Sequence, residues 1–353
     1  MNIVAKFEVS FNCFLDSTGH VTQPLPDFAK DPQELLMMYR LIMLLRTFDN
    51  KAVTLQRTGK IGTYAGILGQ EAVSVGIGAA MRADDVLCPA YREYGAFLQR
   101  GGKMSDILCF WGGDERGSQF DNESDFPMCI PIATQCLHAT GVAVAFKLRK
   151  QPRVAVTVLG DGGTSKGDFY EAINLAGDWR LPVVFVINNN QWAISCPRSA
   201  QTATETLAQK SIGAGFTGLQ VDGNDVIAVR NAVANALEIA RTGGGPTLIE
   251  AITYRLCDHT TADDAKRYRE KEEVERAWQI EPLLRLRSYL ESIHILTPSE
   301  DEKIKAECSV QVEQAVVEYL NKKSQAPESM FDYLYAKLPH DLKEQRQDLL
   351  ENC

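Results

Sequence analysis

Short β-branched apolar runs alternate along this chain with longer stretches in which apolar residues recur at helical spacing. Residues 154–159 (VAVTVL) and 183–187 (VVFVI) are almost wholly apolar, the mark of parallel strands buried on both faces. Between them, residues 166–179 place Phe169, Ile173 and Ala176 on one helical face, and Leu181-Pro182 ends the helix. Gly160-Asp161-Gly162-Gly163 turns the chain from strand to helix. Further strands are predicted at 85–87, 218–221 and 246–254. Helices are predicted at 31–57, 71–81, up to 147, up to 212, 225–242 and 300–321, and from Tyr268 onward with a break at Glu281-Pro282. Asp31-Pro32 supplies the first helix with an N-cap and a proline at its first position. The alternation predicts an α/β fold, a parallel sheet covered by helices on both faces, with helical N- and C-terminal extensions. Residues 1–30 read as an extended arm with one short strand, 31–270 as the α/β domain, and 271–353 as the C-terminal helical extension. Residues 111–127 are glycine-rich and acidic, and are expected to form a mobile loop over the site.

Composition narrows the class. With 353 residues, 45% hydrophobic and 24% charged, the chain can bury a sizeable core. A net charge of −9 without a basic stripe argues against nucleic-acid binding. No apolar run approaches a membrane span. Lys6 and Lys30 are the only basic residues in the arm, so neither a transit nor a signal peptide is expected. The nine cysteines are scattered without a C-x-x-C pair, and read as buried thiols of a cytoplasmic protein.

Candidate chemistry sits where strands end. Asp161 follows one strand; Asn188, Asn189 and Asn190 follow the next. A helix N-terminus after a glycine turn favours phosphate, and a carboxylate in the same turn would repel it unless a cation lay between. Mg2+ takes hard oxygen ligands and shares them with phosphates. The turn therefore reads either as a Mg2+-diphosphate site, with Asp161 and one asparagine as ligands, or as an ordinary βαβ turn with a tolerated Asp. A dinucleotide site would need G-x-G-x-x-G and an acid ending the second strand; Ser165 and the asparagines stand there instead. Arg92 directly follows the 85–87 strand and is either a surface charge or a phosphate ligand. His259, in the aperiodic YRLCDHTTADD segment, is either an exposed loop histidine or a proton-handling group. Ile130 and Ile132, around Pro131, read on spacing alone as core.

GDG followed by a βαβ unit and a terminal NN is similar to the thiamine diphosphate motif. More narrowly, GDGGTSKGDFYEAINLAGDWRLPVVFVINNNQWAIS, GQEA, YRE and the His259 loop resemble the α subunit of the E1 component of 2-oxoacid dehydrogenase complexes, over residues 31–340. The resemblance implies the thiamine diphosphate-binding fold. It implies Mg2+ held by Asp161, Asn190 and the Trp192 carbonyl, with Gly162 and Gly163 beside the diphosphate. Tyr91 and Arg92 would contact the diphosphate, and Arg255 would support the loop or reach the phosphates. Backbone groups at Ile130 and Ile132 would hold the aminopyrimidine, with the Ile132 side chain under the cofactor. His259 would contact the diphosphate and assist acyl transfer to a lipoyl group. The loop at residues 60–69, which includes Ala65, and the GQEA that follows it would border the substrate, and Thr260 stands where some members carry a phosphorylated serine. The family's activating glutamate is carried on a β chain. The implied partners are thus an E1 β subunit in an α2β2 heterotetramer and a lipoylated E2 acyltransferase. The 2-oxoacid would be pyruvate, with a branched-chain 2-oxoacid as the alternative. An NAD-dependent oxidoreductase and a non-catalytic scaffold subunit are the more distant readings.

Overall fold

The computed structural model describes residues 2–118, 124–332 and 334–352. Six strands form one sheet in which every neighbouring pair is parallel, in the order β1-β7-β8-β4-β3-β2. The arm contributes β1 (Phe11–Asn12), and α1 (Pro32–Arg57) follows, with Asp31 capping it by accepting the Gln33 amide. Next come α2 (Glu71–Ala80), β2 (Val86–Cys88), α3 (Tyr94–Gln99) and α4 (Met104–Trp111). The central unit is α5 (Thr134–Leu148), β3 (Ala155–Gly160), α6 (Gly167–Asp178) and β4 (Val183–Asn189). A small antiparallel hairpin follows, β5 (Trp192–Ala193) and β6 (Cys196–Pro197), and then the four-residue α7 (Lys210–Gly213). The sheet is completed by β7 (Thr217–Asp222), α8 (Val226–Arg241) and β8 (Thr247–Ile252). Four helices close the chain: α9 (Lys271–Trp278), α10 (Pro282–Ser292), α11 (Pro298–Leu320) and α12 (His340–Asn352).

Alternation along the central strands divides the core in two. Val156, Val158, Val184, Val186, Ile249 and Ala251 face one cluster with side chains of α1, α2, α8, α10 and α11. Ala155, Leu159, Val183, Phe185, Ile187 and Leu248 face the other, with α5 and α6. Helices therefore cover both faces, as the sequence pattern predicts. Of the C-terminal helices α10 and α11 share the first cluster, and a buried ion triad ties α10 in: Arg46 of α1 meets Glu71 of α2 at 2.8 Å and Glu281, the N-cap of α10, at 2.7 Å.

The free edge of β2 and the flank of β7 are both engaged. On β2, the Leu87 amide donates to Asp125 (2.8 Å), and the Leu87 carbonyl accepts from the Phe126 amide (2.9 Å). On the far side β1 lies along β7, with Phe11 opposite Gln220 and Asn12 opposite Val221. The arm is anchored just beyond. Asp225, the N-cap of α8, accepts the amides of Phe14 (2.7 Å) and Leu15 (2.8 Å) through Oδ2, and those of Ile227 (2.9 Å) and Ala228 (3.3 Å) through Oδ1.

Several expected elements differ in detail. Residues 111–127 are not one loop: Trp111 closes α4 and Glu115–Ser118 is a short 3-10 turn, while residues 119–123 lie outside the described ones. The helix expected from Tyr268 begins at Lys271, because the Tyr268 hydroxyl is held by Asp263 and Arg255. The helix expected up to Ile212 reduces to α7. A 3-10 turn, Asp161–Ser165, separates β3 from α6, so the amides after the first strand belong to that turn and not to the helix N-terminus.

Candidate cofactor site

Because the strands are parallel, β2, β3, β4 and β8 all end on one edge of the sheet, and a cavity of about 240 Å3 opens there. Each strand end contributes to its wall: Tyr91 and Arg92 after β2, Asp161, Gly162 and Gly163 after β3, Asn190 and Trp192 after β4, and His259 after β8. Beyond their formal ends β4 and β8 stay paired: Thr253 donates to the Asn189 carbonyl (2.9 Å) and Arg255 to that of Asn190 (3.2 Å). That pairing brings Arg255 beside the asparagine run. Gly162 packs so closely on the hairpin that a Cβ there would lie 2.5 Å from the Ala193 Cβ.

The acidic side is built from hard oxygen donors. Asp161 is 1% exposed, and burial lifts its carboxyl above the ordinary carboxylate range, opposed by a hydrogen bond from Gln201 Nε2 to Oδ2. The three asparagines have separate partners. Asn188 Oδ1 accepts from Thr253 Oγ1 (2.8 Å), Asn189 Nδ2 donates to Glu250 (2.7 Å), and Asn190 Nδ2 donates to Gln70 Oε1 (2.8 Å). Asn188 and Asn190 both line the cavity with Asp161; Asn188 Oδ1 is taken by Thr253, while Asn190 Oδ1 accepts the Trp192 amide at 3.2 Å.

The basic side is unusual in what it lacks. Arg92 Nη1 donates to the Gly66 carbonyl, and Nη2 to the His259 carbonyl at 2.6 Å. Arg255, fully buried, donates to the carbonyls of Trp192 (3.1 Å) and Ile194 (2.8 Å) and to the Tyr268 hydroxyl (2.9 Å). Among the described residues neither guanidinium has a carboxylate partner. Two buried cations that lack a direct ion pair favour an anion in the adjoining space. Between them stands His259, whose Nδ1 lies 3.2 Å from Arg92 Nη2 and 3.3 Å from Arg255 Nη1. Guanidinium nitrogens only donate, so Nδ1 accepts and the ring proton sits on Nε2. Burial and then the two arginines push the imidazole down to about 3, so it is neutral near pH 7.

Side-chain placement at the apolar end follows the cavity and not the core. Ile132 is 46% exposed and lines the cavity; Ile130 is 47% exposed and does not. The core reading of these two isoleucines is therefore corrected: the positive φ of Ala133 (69°) turns the chain into α5 and leaves both side chains outward. Ile194, in the hairpin turn, has φ 54°, a left-handed conformation that a β-branched residue adopts only under constraint. Its carbonyl is the one gripped by Arg255.

The sequence profile of the dehydrogenase E1 component family matches residues 39–328. This chain belongs to that family. It is similar to the 3-methyl-2-oxobutanoate dehydrogenase subunit alpha of Mycobacterium tuberculosis, 42% identical over 90% of this chain and 87% of the relative. It is also similar to pyruvate dehydrogenase E1 component subunits alpha: 38% identical for Mycoplasma genitalium, covering 94% of this chain and 93% of the relative, and 39% for Bacillus subtilis, covering 94% and 90%. The chain is thus an E1 α chain of the 2-oxoacid dehydrogenases, a thiamine diphosphate-dependent family of oxidoreductases.

For this E1 chain the cavity gathers Tyr91, Arg92, Ile132, Asp161, Gly162, Gly163, Asn190, Trp192 and His259, with Arg255 directly behind His259. Ala65 is fully buried outside the cavity wall, its carbonyl accepting from the Tyr94 hydroxyl (3.0 Å). Three residues to which the sequence assigns no role of their own also belong to the site: Gln70, Glu93 and Gln201. GQEA and YRE flag the first two as neighbours of recognised motifs, but nothing local marks Gln201, which meets Asp161 from 40 positions away. The eight described cysteines are all free thiols, and no described helix is long and apolar enough to cross a membrane.

Proposed function

We propose that this chain is the α subunit of a pyruvate dehydrogenase E1 and binds thiamine diphosphate through Mg2+ in the cavity at the strand ends. The observation that carries the reading is charge placement. The Arg92 guanidinium lines the same space as the buried Asp161 carboxylate and Asn190, Arg255 stands directly behind His259, and neither guanidinium makes a direct ion pair among the described residues. An anion bridged by a divalent cation satisfies both sides at once. Asp161, Asn190 Oδ1 and the Trp192 carbonyl hold the metal. That carbonyl accepts one bond from Arg255 and keeps a lone pair for the cation. Arg92, Tyr91 and the turn at Gly162 and Gly163 border the diphosphate, and Ile132 supports the ring end.

When bound, thiamine diphosphate supplies a nucleophilic carbon and an electron sink for decarboxylation of a 2-oxoacid. The chain's own contribution is to bind, orient and carry protons. His259 offers a neutral imidazole with its proton on Nε2, a donor beside the diphosphate and a proton carrier during acyl transfer. The cavity is smaller than the roughly 300–1,000 Å3 of a complete ligand site, which supports completion by a β chain in an α2β2 assembly. A lipoylated E2 acyltransferase takes the acyl group, and the cytoplasm is the proposed compartment.

Titrating thiamine diphosphate into the assembled enzyme, followed by tryptophan fluorescence, tests this. EDTA should abolish binding. Asp161→Ala and Asn190→Ala should each weaken it beyond the roughly 10–100-fold typical of removing an outer-shell partner. Binding of a nicotinamide dinucleotide that ignores EDTA would support the oxidoreductase rival instead. Unchanged turnover in Asp161→Ala and His259→Ala enzyme would mark the chain as a scaffold. The Mycobacterium tuberculosis relative favours a second reading, a branched-chain substrate. Lipoamide acylation from pyruvate and from 3-methyl-2-oxobutanoate, compared by kcat/KM, decides between them, and faster acylation from the branched acid would displace pyruvate.

A further inference from the structure

Gln70 precedes α2 and is 2% exposed, in the wall of the cavity. Its Oε1 accepts Nδ2 of Asn190 at 2.8 Å. The orientation of both amides is fixed by the backbone. The Trp192 N–H can only donate, and it lies 3.2 Å from Asn190 Oδ1. Oxygen must therefore be the Asn190 atom on that side, Nδ2 must face Gln70, and Gln70 must present its oxygen. That leaves Gln70 Nε2, which is buried and has no hydrogen-bond partner. A buried amide donor left unpaired is rare in folded proteins, and the missing partner is usually a water, ion or ligand. Here the adjoining space is the one walled by Asp161, Arg92 and His259.

We propose that Gln70 is a positioning residue for the metal-diphosphate group and acts through both atoms of its amide. Oε1 holds Asn190 so that Oδ1 faces the cation, and Nε2 donates to an oxygen of the bound diphosphate. The inference rests on the cofactor reading above and extends it to a residue 120 positions from Asn190 in the chain.

Two variants separate the two atoms. Gln70→Leu removes both; Gln70→Glu keeps an acceptor for Asn190 but replaces the donor with an oxygen. In the assembled enzyme, two binding constants are read by fluorescence: the Mg2+ half-saturation at fixed thiamine diphosphate, and the thiamine diphosphate Kd at saturating Mg2+. Gln70→Leu should weaken both, on the order of 10–100-fold. Gln70→Glu should restore Mg2+ half-saturation close to wild type while leaving diphosphate binding weakened about tenfold or more. Unchanged constants in Gln70→Leu overturn the proposal, as does a Gln70→Glu enzyme that binds diphosphate like wild type. If Gln70→Leu does not assemble, the contrast between wild type and Gln70→Glu carries the test alone. Wild-type enzyme that binds thiamine diphosphate equally well in EDTA would instead overturn the cofactor reading, and this inference with it.

Discussion

Glu93 illustrates how one buried group can set a pH dependence. Its carboxyl lies in the cavity wall beside Arg92, accepting that residue's amide at 3.2 Å. Burial raises it to about 7, against an opposing pull from Arg92. Between about 4.5 and 7 the folded chain therefore holds a proton that the unfolded chain has released. Stability contributed by this group is complete below the lower value and is lost as pH rises through the upper one. Glu93→Gln should raise the Tm of the cofactor-free enzyme by several °C at pH 8, with the gain vanishing near pH 4.5. An equal gain at both pH values would show that something other than ionisation is being read. The gathering of Asp161, Asn190 and Arg92 around one cavity was legible because each follows a predicted strand. Gln70 and Gln201 were not legible. A glutamine has no special chemistry until the fold sets it against a particular partner, and their partners lie 120 and 40 positions away.

Elements were legible wherever periodicity and punctuation agreed. Asp31-Pro32 and Asp225 each cap the helix that follows them, and β3, β4 and β8 appear where apolar runs predict them. The misses have physical causes. α4 is short, lacks a side-chain cap and is apolar on most sides, so it shows no clean stripe. α12 buries no residue, and only three leucines, Leu342, Leu349 and Leu350, break its polar surface. Asp225 does more than its capping signature announces, since one carboxylate serves the first turn of α8 and the arm together. Asp225→Ala strips four amides of their acceptor at a fully buried position. The expected loss is about 2–5 kcal/mol, above the ~1 kcal/mol of a simple cap, because hydrogen bonds to charged groups are stronger and unpaired donors stay buried. Limited proteolysis should then cut within residues 2–25 before the rest of the chain. Resistance equal to wild type would show that β1 alone holds the arm.

For the molecule as a whole, the parallel sheet makes the site possible by collecting four strand ends on one edge, but it also creates two flanks. A flank of free N–H and C=O groups is a template on which another chain can add a strand, the first step toward aggregation. The β2 flank is occupied by Asp125 and Phe126. The β7 flank depends on two residues of a twelve-residue leader whose Ile3, Val4 and Phe7 are otherwise exposed. Deleting residues 1–12 should leave the cavity and its cofactor affinity intact while light scattering rises with concentration and warming. Scattering no different from the full chain would show that β7 needs no cover. The task expected of the arm is unrelated to catalysis: covering the flank of a sheet built for a cofactor so that it does not recruit strands of its own kind.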